Sequence, residues 1–250
     1  MNPQTSYPDF ESLTLVIAES ALETVPESLW WHPEVRRYAR WRGLKPSEIL
    51  LDRSYHHRAM RGLGDSLKRG RPDIVHLSLL NALETPLSRE GLLEVYVHTV
   101  QNQILEFNPR VRLPRNYMRF KGLMEQLFKL GRVPPEGEPL VTLRSGSLAE
   151  LKERVKPNLI VGFSTSGETK LLSVIASEIV SRERVMAVIG GFPHGEFTEE
   201  SMKLFDLCYS IDPEALNAWV VVARLIYEVE KALRLDVNRL KRSERLKKEF

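Results

Sequence analysis

The sequence predicts an α/β fold, a mostly parallel sheet covered by helices, and three observations carry that prediction. Short apolar, β-rich runs alternate with helical periodicity through the second half of the chain. Three of those runs end in loops of small residues or proline, "FSTSG", "GGFPHG" and "IDPEALNA", as parallel strands do where they turn into helices. No Ser/Gly linker divides the halves, so the 250 residues are expected to form a single domain.

Taken in order, "LTLVIAES" (13–20) reads as a first strand and "PESLWWHPEVRRYARWRG" (26–43) as a Trp-rich helical stretch broken near Pro33. "EILLDRS" (48–54) reads as another strand, and the apolar run "DIVHLSLLNAL" (73–83) and the alternating "LEVYVHT" (93–99) extend the same core. In "RVRLPRNYMRF" (110–120), Pro114 ends an extended stretch. A helix then follows, with Asn116 able to cap it and Phe120, Leu123, Leu127 and Leu130 on one apolar face. "PLVTL" (139–143) is β-rich, Ser147 and Glu150 form a capping-box signature for the next helix, and Pro157 precedes the strand "LIVGF" (159–163). A helix through "ETKLLSVIASEIVS" (168–181) leads to the strand "RVMAVIG" (184–190), and Thr198 caps a short helix "EESMKLF". "LCYSI" (207–211) is the last strand, and a long helix is expected from Asp212 as N-cap with Pro213 at its first position. The basic tail "RLKRSERLKKEF" reads as a solvated helix end.

Net charge is only +3, but it is unevenly spread. Arg36 to Arg71 carries 11 Lys/Arg against 3 Asp/Glu, and Arg110 to Arg132 carries 7 against 1. These stretches hold +8 and +6, which leaves −11 on the remainder. Such a division predicts one basic face for a polyanion on an otherwise acidic body, with a basic extension over roughly 26–71. A single cysteine, Cys208, excludes a disulfide framework and a four-cysteine zinc site; "LFDLCYSI" reads it as a small core residue in a reducing, cytoplasmic setting. The N-terminal segment lacks the basic start and long apolar core of a signal peptide, and no apolar run reaches the ~20 residues of a membrane span. His56 and His57 are adjacent and diverge, while His32, His76, His98 and His194 show no ligand spacing, so no metal is expected.

The loop "GFSTSGET" follows a strand and nearly fits the phosphate-binding pattern G-x-x-x-x-G-K-[ST], but Glu168 stands where the lysine belongs. A carboxylate there repels a γ-phosphate, which argues against an NTPase. "GGFPHG" places Gly190, Gly191 and Gly195 outside the dinucleotide spacing G-x-G-x-x-G. Two readings remain for the three strand-end loops: ordinary turns, or a backbone cradle for an adenosine-like ligand.

Arg112 and Arg115 lie on the approach to their helix and Arg119 one turn inside it, near its positive end. They form an anion site suited to RNA phosphates, or an ion-pair network with the acidic remainder; their own stretch offers only Glu125. Tyr117 is either a base-stacking or a core aromatic. Asp73 is an N-cap, or a carboxylate held beside Arg71 to orient a base or accept its proton.

"GRPDIVHLSLLNALETPL", "RVRLPRNYMRFKGLMEQL", "IGGFPHG" and "YSIDPEALNA" together resemble the Nep1/Emg1 family of ribosome-biogenesis methyltransferases, over most of the chain from "LTLVIAES" to "EVEKAL". That resemblance implies a SPOUT-type parallel-sheet fold with a C-terminal trefoil knot in a cofactor-binding part of roughly 155–235. It further implies S-adenosylmethionine as methyl donor, a homodimer, and methylation of N1 of a pseudouridine in a small-subunit rRNA hairpin loop. Ribosome assembly factors or ribosomal proteins are the further partners it suggests. Carried over by position, the RNA-contacting residues are Arg71, Asp73, Arg112, Arg115 and Arg119, with Asp73 and Arg71 at the reacting base. The donor loops are Thr165; Gly190, Gly191 and Gly195; and Ile211, Asp212, Pro213, Glu214, Ala215 and Leu216. Pro193 and His194 depart from the small and basic residues of eukaryotic members, so the carry-over to that loop concerns its backbone. Methyl transfer in line with the sulfonium needs positioning and no covalent nucleophile, so Cys208 is not expected to take part. A non-catalytic rRNA-binding assembly factor is the competing function.

Overall fold

The first strand, β1 (Ser12–Ser20), is buried along almost all of its length because it lies mid-sheet with a parallel neighbour on each side. Those neighbours are β2 (Leu93–Thr99) and β7 (Arg184–Gly190). Beyond β7 come β6 (Leu159–Thr169) and β8 (Leu207–Ser210), both parallel. Beyond β2 the sheet turns antiparallel through β3 (Gln103–Phe107), β5 (Val141–Ser145) and the short β4 (Arg132–Val133). The order is β4-β5-β3-β2-β1-β7-β6-β8, a mixed sheet in this computed structural model, which describes residues 10–248. Residues 1–9, which begin the segment read against a leader, and the last two residues of the basic tail lie outside the described residues. Among the described residues no helix is long and apolar enough to cross a membrane.

Alternation along β1 sorts its side chains to two faces. Leu13, Leu15 and Ile17 join the larger core, covered by α3 (Pro72–Leu83), α5 (Tyr117–Leu130), α7 (Leu172–Val180) and α9 (Ala218–Ala232). Val16 and Ala18 face a smaller core with Leu148 and Leu151 of α6 (Leu148–Val155) and with Phe197, just before α8 (Glu199–Met202). A third cluster belongs to the basic extension: α1 (Pro33–Arg42) packs Val35, Tyr38 and Ala39 against Ile49, Leu51, Ala59 and Met60. Short helices α2 (Arg53–His56) and α4 (Pro86–Arg89) and a terminal α10 (Leu235–Lys248) complete the order.

Three helix starts form as their sequences predict, and the predicted break near Pro33 is present. Ser147 and Glu150 close a reciprocal capping box, Thr198 accepts from the Ser201 amide, Asn116 accepts from the Arg119 amide, and the break at Pro33 places that residue at the first position of α1.

Several expectations are corrected. Residues 48–54 make no strand, only an isolated bridge from Leu50 to Thr24, because the Leu50 amide donates instead to Glu125 and Asp52 caps α2. The last long helix begins at Ala218, with Asn217 before it, because the Asp212 carboxylate accepts from the Glu214 amide in a turn and leaves 211–217 as a loop. Strand β6 runs on to Thr169, so "GFSTSGET" opens no helix; residues 164–167 bulge outward between Phe163 and Glu168, both opposite Tyr209. Asp73 is not an N-cap: Arg71 takes that position and the Asp73 side chain binds the Arg71 guanidinium. The terminal helix is not simply solvated, since Arg239 and Arg242 both reach Glu90 at 2.5 Å.

Candidate functional site

Three of the parallel strands, β7, β6 and β8, end side by side, and a cleft of about 490 Å³ opens beyond their carboxyl ends. Its walls include Phe163 to Thr165 from the β6 bulge, Gly190 and the loop to Phe197 after β7, and Tyr209 to Asp212 with Glu214 to Ala218 after β8. Arg71 and Ile74, from the start of α3, close the remaining side.

Of the residues expected to hold a donor, Thr165, Gly190, Gly195, Ile211, Asp212, Glu214, Ala215 and Leu216 line this cleft. Gly191 and Pro213 do not. Gly191 is buried behind the loop, where a Cβ would stand 2.2 Å from Ser20 Oγ and 2.8 Å from Ile17 Cγ2, so its bareness serves close packing on β1. Gly195 has φ +92°, which allows the loop to turn back over the cleft. Pro193 and His194 line the cleft as well, so their side chains contribute surface there.

No motif in the sequence pointed to Glu196, which directly follows "GGFPHG" and organises the mouth of the site. Its carboxylate accepts from Ser164 Oγ at 2.5 Å, Thr165 Oγ1 at 2.9 Å and Ser166 Oγ at 3.3 Å, joining the β6 bulge to the β7 loop. The Ser164 hydrogen bond foremost, then those of Thr165 and Ser166, hold Glu196 below the usual carboxylate range. Lys68 of the basic extension braces the same loop from behind. Its ammonium contacts the Glu196 carbonyl, pairs with Glu19 at 3.1 Å and lies 4.4 Å from the Phe192 ring centre. Glu19, at the end of β1 with φ +48°, also accepts from the Thr198 amide and hydroxyl at 2.8 and 2.7 Å. Burial raises its pKa, but the bonds from Thr198, Ser201 and Lys68 outweigh that and keep it low.

The cleft therefore offers backbone groups, hydroxyls, apolar walls and the carboxylates of Asp212 and Glu214, with one guanidinium at its rim. It holds no lysine along its lining, as a triphosphate cradle would require. Among the described residues no group of three or more His, Cys, Asp or Glu is placed to hold a metal. Cys208 is half-buried in β8, where burial pushes its thiol pKa up, and does not line the cleft.

At the rim, Arg71 and Asp73 form a bidentate pair, Nε to Oδ1 at 2.8 Å and a terminal nitrogen to Oδ2 at 2.7 Å. That hydrogen bonding raises the Arg71 pKa further above its ordinary value. Arg71 lines the cleft and Asp73 does not. The His76 ring, one turn into α3, donates to the Pro114 carbonyl at 2.8 Å and stacks on Phe120 at 4.3 Å, which ties the arginine approach to the same helix. Arg112, Arg115 and Arg119 are all exposed. Among the described residues only Arg115 of the three has a carboxylate near, Glu84 at 3.5 Å, so the alternative of an ion-pair network is not what their side chains form.

A buried polar hub behind α5 seats the helix that carries Arg119 and that Arg112 and Arg115 lead into. Lys121 is 0% exposed, and its ammonium binds Asp52 Oδ2 at 2.7 Å and the Tyr38 hydroxyl at 2.8 Å. Tyr117 donates to the same Asp52 oxygen at 2.8 Å, which makes it a structural aromatic rather than a base-stacking one. Burial pushes Asp52 up, but the Lys121 charge and hydrogen bond win and hold it low. Next to this hub Arg42 binds Glu125 at 2.6 Å. The expected apolar face of α5 thus includes a buried Lys and Glu, while Leu130 is 47% exposed.

The EMG1/NEP1 methyltransferase family model matches residues 15–230. Ribosomal RNA small subunit methyltransferase Nep1 of Staphylothermus marinus is 44% identical over 221 residues, covering 88% of this chain and 96% of that protein. The protein of the same name from Thermococcus kodakarensis is 45% identical over 225 residues, with 89% and 100% covered. The crystal structure of Archaeoglobus fulgidus Nep1 bound to S-adenosylhomocysteine superposes with a TM-score of 0.78 at 36% identity, covering 89% of this chain and 98% of that one. With the family model spanning most of the chain and relatives this similar along nearly their whole length, the chain belongs to the EMG1/NEP1 methyltransferase family.

Proposed function

We propose that this protein methylates small-subunit ribosomal RNA with S-adenosylmethionine, at N1 of a pseudouridine in a hairpin loop, during ribosome biogenesis in the cytoplasm. The observation that carries this reading is the donor-type cleft at three parallel strand ends with Arg71 at its rim, together with exposed Arg112 and Arg115 on the approach to α5 and Arg119 in its first turn. The cleft volume falls in the range of small-molecule sites. Its lining suits an adenosine and a cationic sulfonium: backbone loops, hydroxyls, the apolar Ile74, Ile189 and Leu216, and carboxylates at Asp212 and Glu214. Bound there, S-adenosylmethionine supplies an electrophilic methyl group.

The chain's own residues supply position. Glu196 fastens the β6 bulge to the β7 loop and so sets the shape of the mouth. The Arg71–Asp73 pair presents guanidinium N–H and carboxylate oxygen side by side at the rim, where a base edge can be held and its N1 proton accepted. Exposed arginines bind the phosphates of the turned loop. Exposed Leu77, Leu171, Val174 and Tyr227 lie on or beside α3, α7 and α9, helices that pack on one another, and support a homodimer. A SPOUT-type trefoil knot in the C-terminal part, and ribosome assembly factors or ribosomal proteins as partners, belong to the same reading.

The test is transfer of labelled methyl from S-adenosylmethionine to a short rRNA hairpin made once with uridine and once with pseudouridine at the loop target. Label on the pseudouridine RNA alone is expected. Label on neither, with tight RNA binding, would turn the reading to a non-catalytic assembly factor. Asp73→Asn is expected to keep donor binding and folding while methylation falls, because Asp73 holds Arg71 without lining the cleft. Loss of folding instead would mark the residue as a helix-start element.

A further inference from the structure

Helix α1 sorts its arginines into two kinds. Arg42, on the inner face, is bound to Glu125, and elsewhere in the extension Arg58 reaches Glu34 at 3.7 Å and Arg69 binds Glu23 at 2.5 Å. Arg36, Arg37 and Arg40, on the outer face, are exposed, and none has a carboxylate within ion-pair distance among the described residues. Two indoles flank them in the open. Trp31 is 79% and Trp41 68% exposed, against the strong tendency of tryptophan to be covered. Arg36 sits 5.9 Å from the Trp31 ring centre, and Arg37 and Trp41, four residues apart, share one side of the helix.

The buried Tyr38 ring beneath this face links it to Tyr55 and to the start of α5. The Trp41 ring lies 5.5 Å from Tyr38, Tyr38 lies 4.4 Å from Tyr55, and the Tyr55 hydroxyl meets the Met118 sulfur at 3.8 Å, beside Arg119. Exposed aromatic planes among unneutralised guanidiniums match the two faces of a single-stranded polynucleotide, stacking for the bases and charge for the phosphates. An acidic protein would satisfy the arginines but would not explain why the same face leaves two whole indoles bare.

We infer that the outer face of α1, with Trp31 and Trp41, is a second RNA site that stacks unpaired nucleotides flanking the hairpin. The inference deepens the proposed rRNA reading and rests on it for the identity of the RNA. The hairpin loop itself is held by Arg112, Arg115 and Arg119, and the flanking strand passes over Tyr55 onto Trp41.

The experiment uses the full chain and two labelled RNAs, the hairpin alone and the hairpin with a single-stranded tail of about six nucleotides. The tail is expected to tighten binding at fixed salt by roughly 5- to 100-fold, the worth of one stacked base. Trp31→Ala combined with Trp41→Ala should abolish that gain and leave hairpin affinity and thermal midpoint unchanged. Arg37→Ala with Arg40→Ala should make the salt slope of the tailed RNA shallower by about 1.4, two single-strand phosphates. In parallel, an oligouridine of about six nucleotides should quench tryptophan emission in the wild type but not in the double Trp variant, where Trp30 and Trp219 remain. This readout needs no hairpin and no methylation, so it separates failure of the platform from failure of the proposed function. No gain from the tail, or a gain that survives loss of both indoles, overturns the inference. Competition by an acidic peptide as effective as the oligouridine also overturns it and assigns the face to a protein.

Discussion

Replacing Lys121 with Met removes the cation from the hub that seats α5 on the basic extension. In the folded protein its ammonium lies 2.7 Å from Asp52 Oδ2, 2.8 Å from the Tyr38 hydroxyl and 4.5 Å from the Tyr55 ring centre, with no exposed surface. Methionine fills most of the volume, so the change isolates the charge. Asp52 is then left with the Tyr117 hydroxyl and the Ser54 amide but no counter-charge. Stranding a buried carboxylate in this way costs about 3–5 kcal/mol, or roughly 6–20 °C in midpoint for a chain of this length. The cost has a pH signature. In the wild type Asp52 is held low, so its contribution is present above its unfolded pKa and is lost as pH falls through the folded one. In the variant only the Tyr117 and Ser54 hydrogen bonds still oppose burial, so the carboxyl rises from its wild-type position, protonation relieves it more readily, and the deficit shrinks as pH falls, for example from about pH 8 to about pH 5.5. Urea unfolding at both values, for Lys121→Met, Asp52→Asn and the double variant, measures this. The double variant should be more stable than Lys121→Met alone, since the asparagine amide that replaces Asp52 carries no stranded charge. A Lys121→Met protein within about 1 kcal/mol of wild type at the higher pH, or a double variant as weak as the sum of the singles, would refute the hub.

Arg112→Ala with Arg115→Ala should weaken hairpin binding and make its salt slope shallower by about 1.4 to 1.8, and an unchanged slope across a KCl series would make both side chains structural. His56 is buried with its pKa lowered from 6.5 to about 4 by burial first and the Lys121 charge second. The unfolded chain therefore binds the extra proton first on acidification, and about 3 kcal/mol of stability should be lost as pH falls from 6.5 to 4. His56→Asn should flatten that part of the stability curve; an identical curve would show that other groups set it. Gly191→Ala places a Cβ 2.2 Å from Ser20 Oγ and 2.9 Å from Ser20 Cα, so it should lower stability by about 1–3 kcal/mol and loosen the donor loop. A variant with unchanged melting and donor affinity would mean that β1 yields there without strain.

Legibility in the sequence followed the range of the interactions. Caps at Asn116, Ser147 and Thr198 read correctly because each bond closes within three residues of its donor. The cleft was legible as three small-residue strand ends, since parallel strands bring such ends together wherever the chain runs between them. Local logic failed where a distant partner took over. "EILL" has the apolar density of a strand, yet Glu125, 75 residues away, takes the Leu50 amide and the segment stays irregular. Asp212 and Pro213 make a good helix start on paper, but the turn they form leaves the loop free to wall the cleft. Nothing local in the sequence marks Lys121 and Glu125 as buried; Asp52 and Tyr38, and Arg42 and the Leu50 amide, all from the extension, supply the partners that allow it.

The Lys121–Asp52 and Arg42–Glu125 pairs show why the basic extension is not a detachable arm. Asp52 and Arg42 hold α5, which carries Arg119 and directly follows Arg112 and Arg115. A few residues on, Lys68 pins the loop that carries Glu196, Arg69 pairs with Glu23 just past β1, and the backbone amide of Arg71 donates to the Ala21 carbonyl. One continuous segment from Arg42 to Arg71 therefore touches both α5 and the wall of the cleft. Its charges are divided accordingly. Arg42, Lys68 and Arg69 are consumed in ion pairs with Glu125, Glu19 and Glu23, whereas Arg36, Arg37 and Arg40 are left outward. The excess of +8 read from the sequence of Arg36 to Arg71 is thus an upper bound on what an RNA meets there, and Arg36, Arg37 and Arg40 of α1 are among the charges that stay outward.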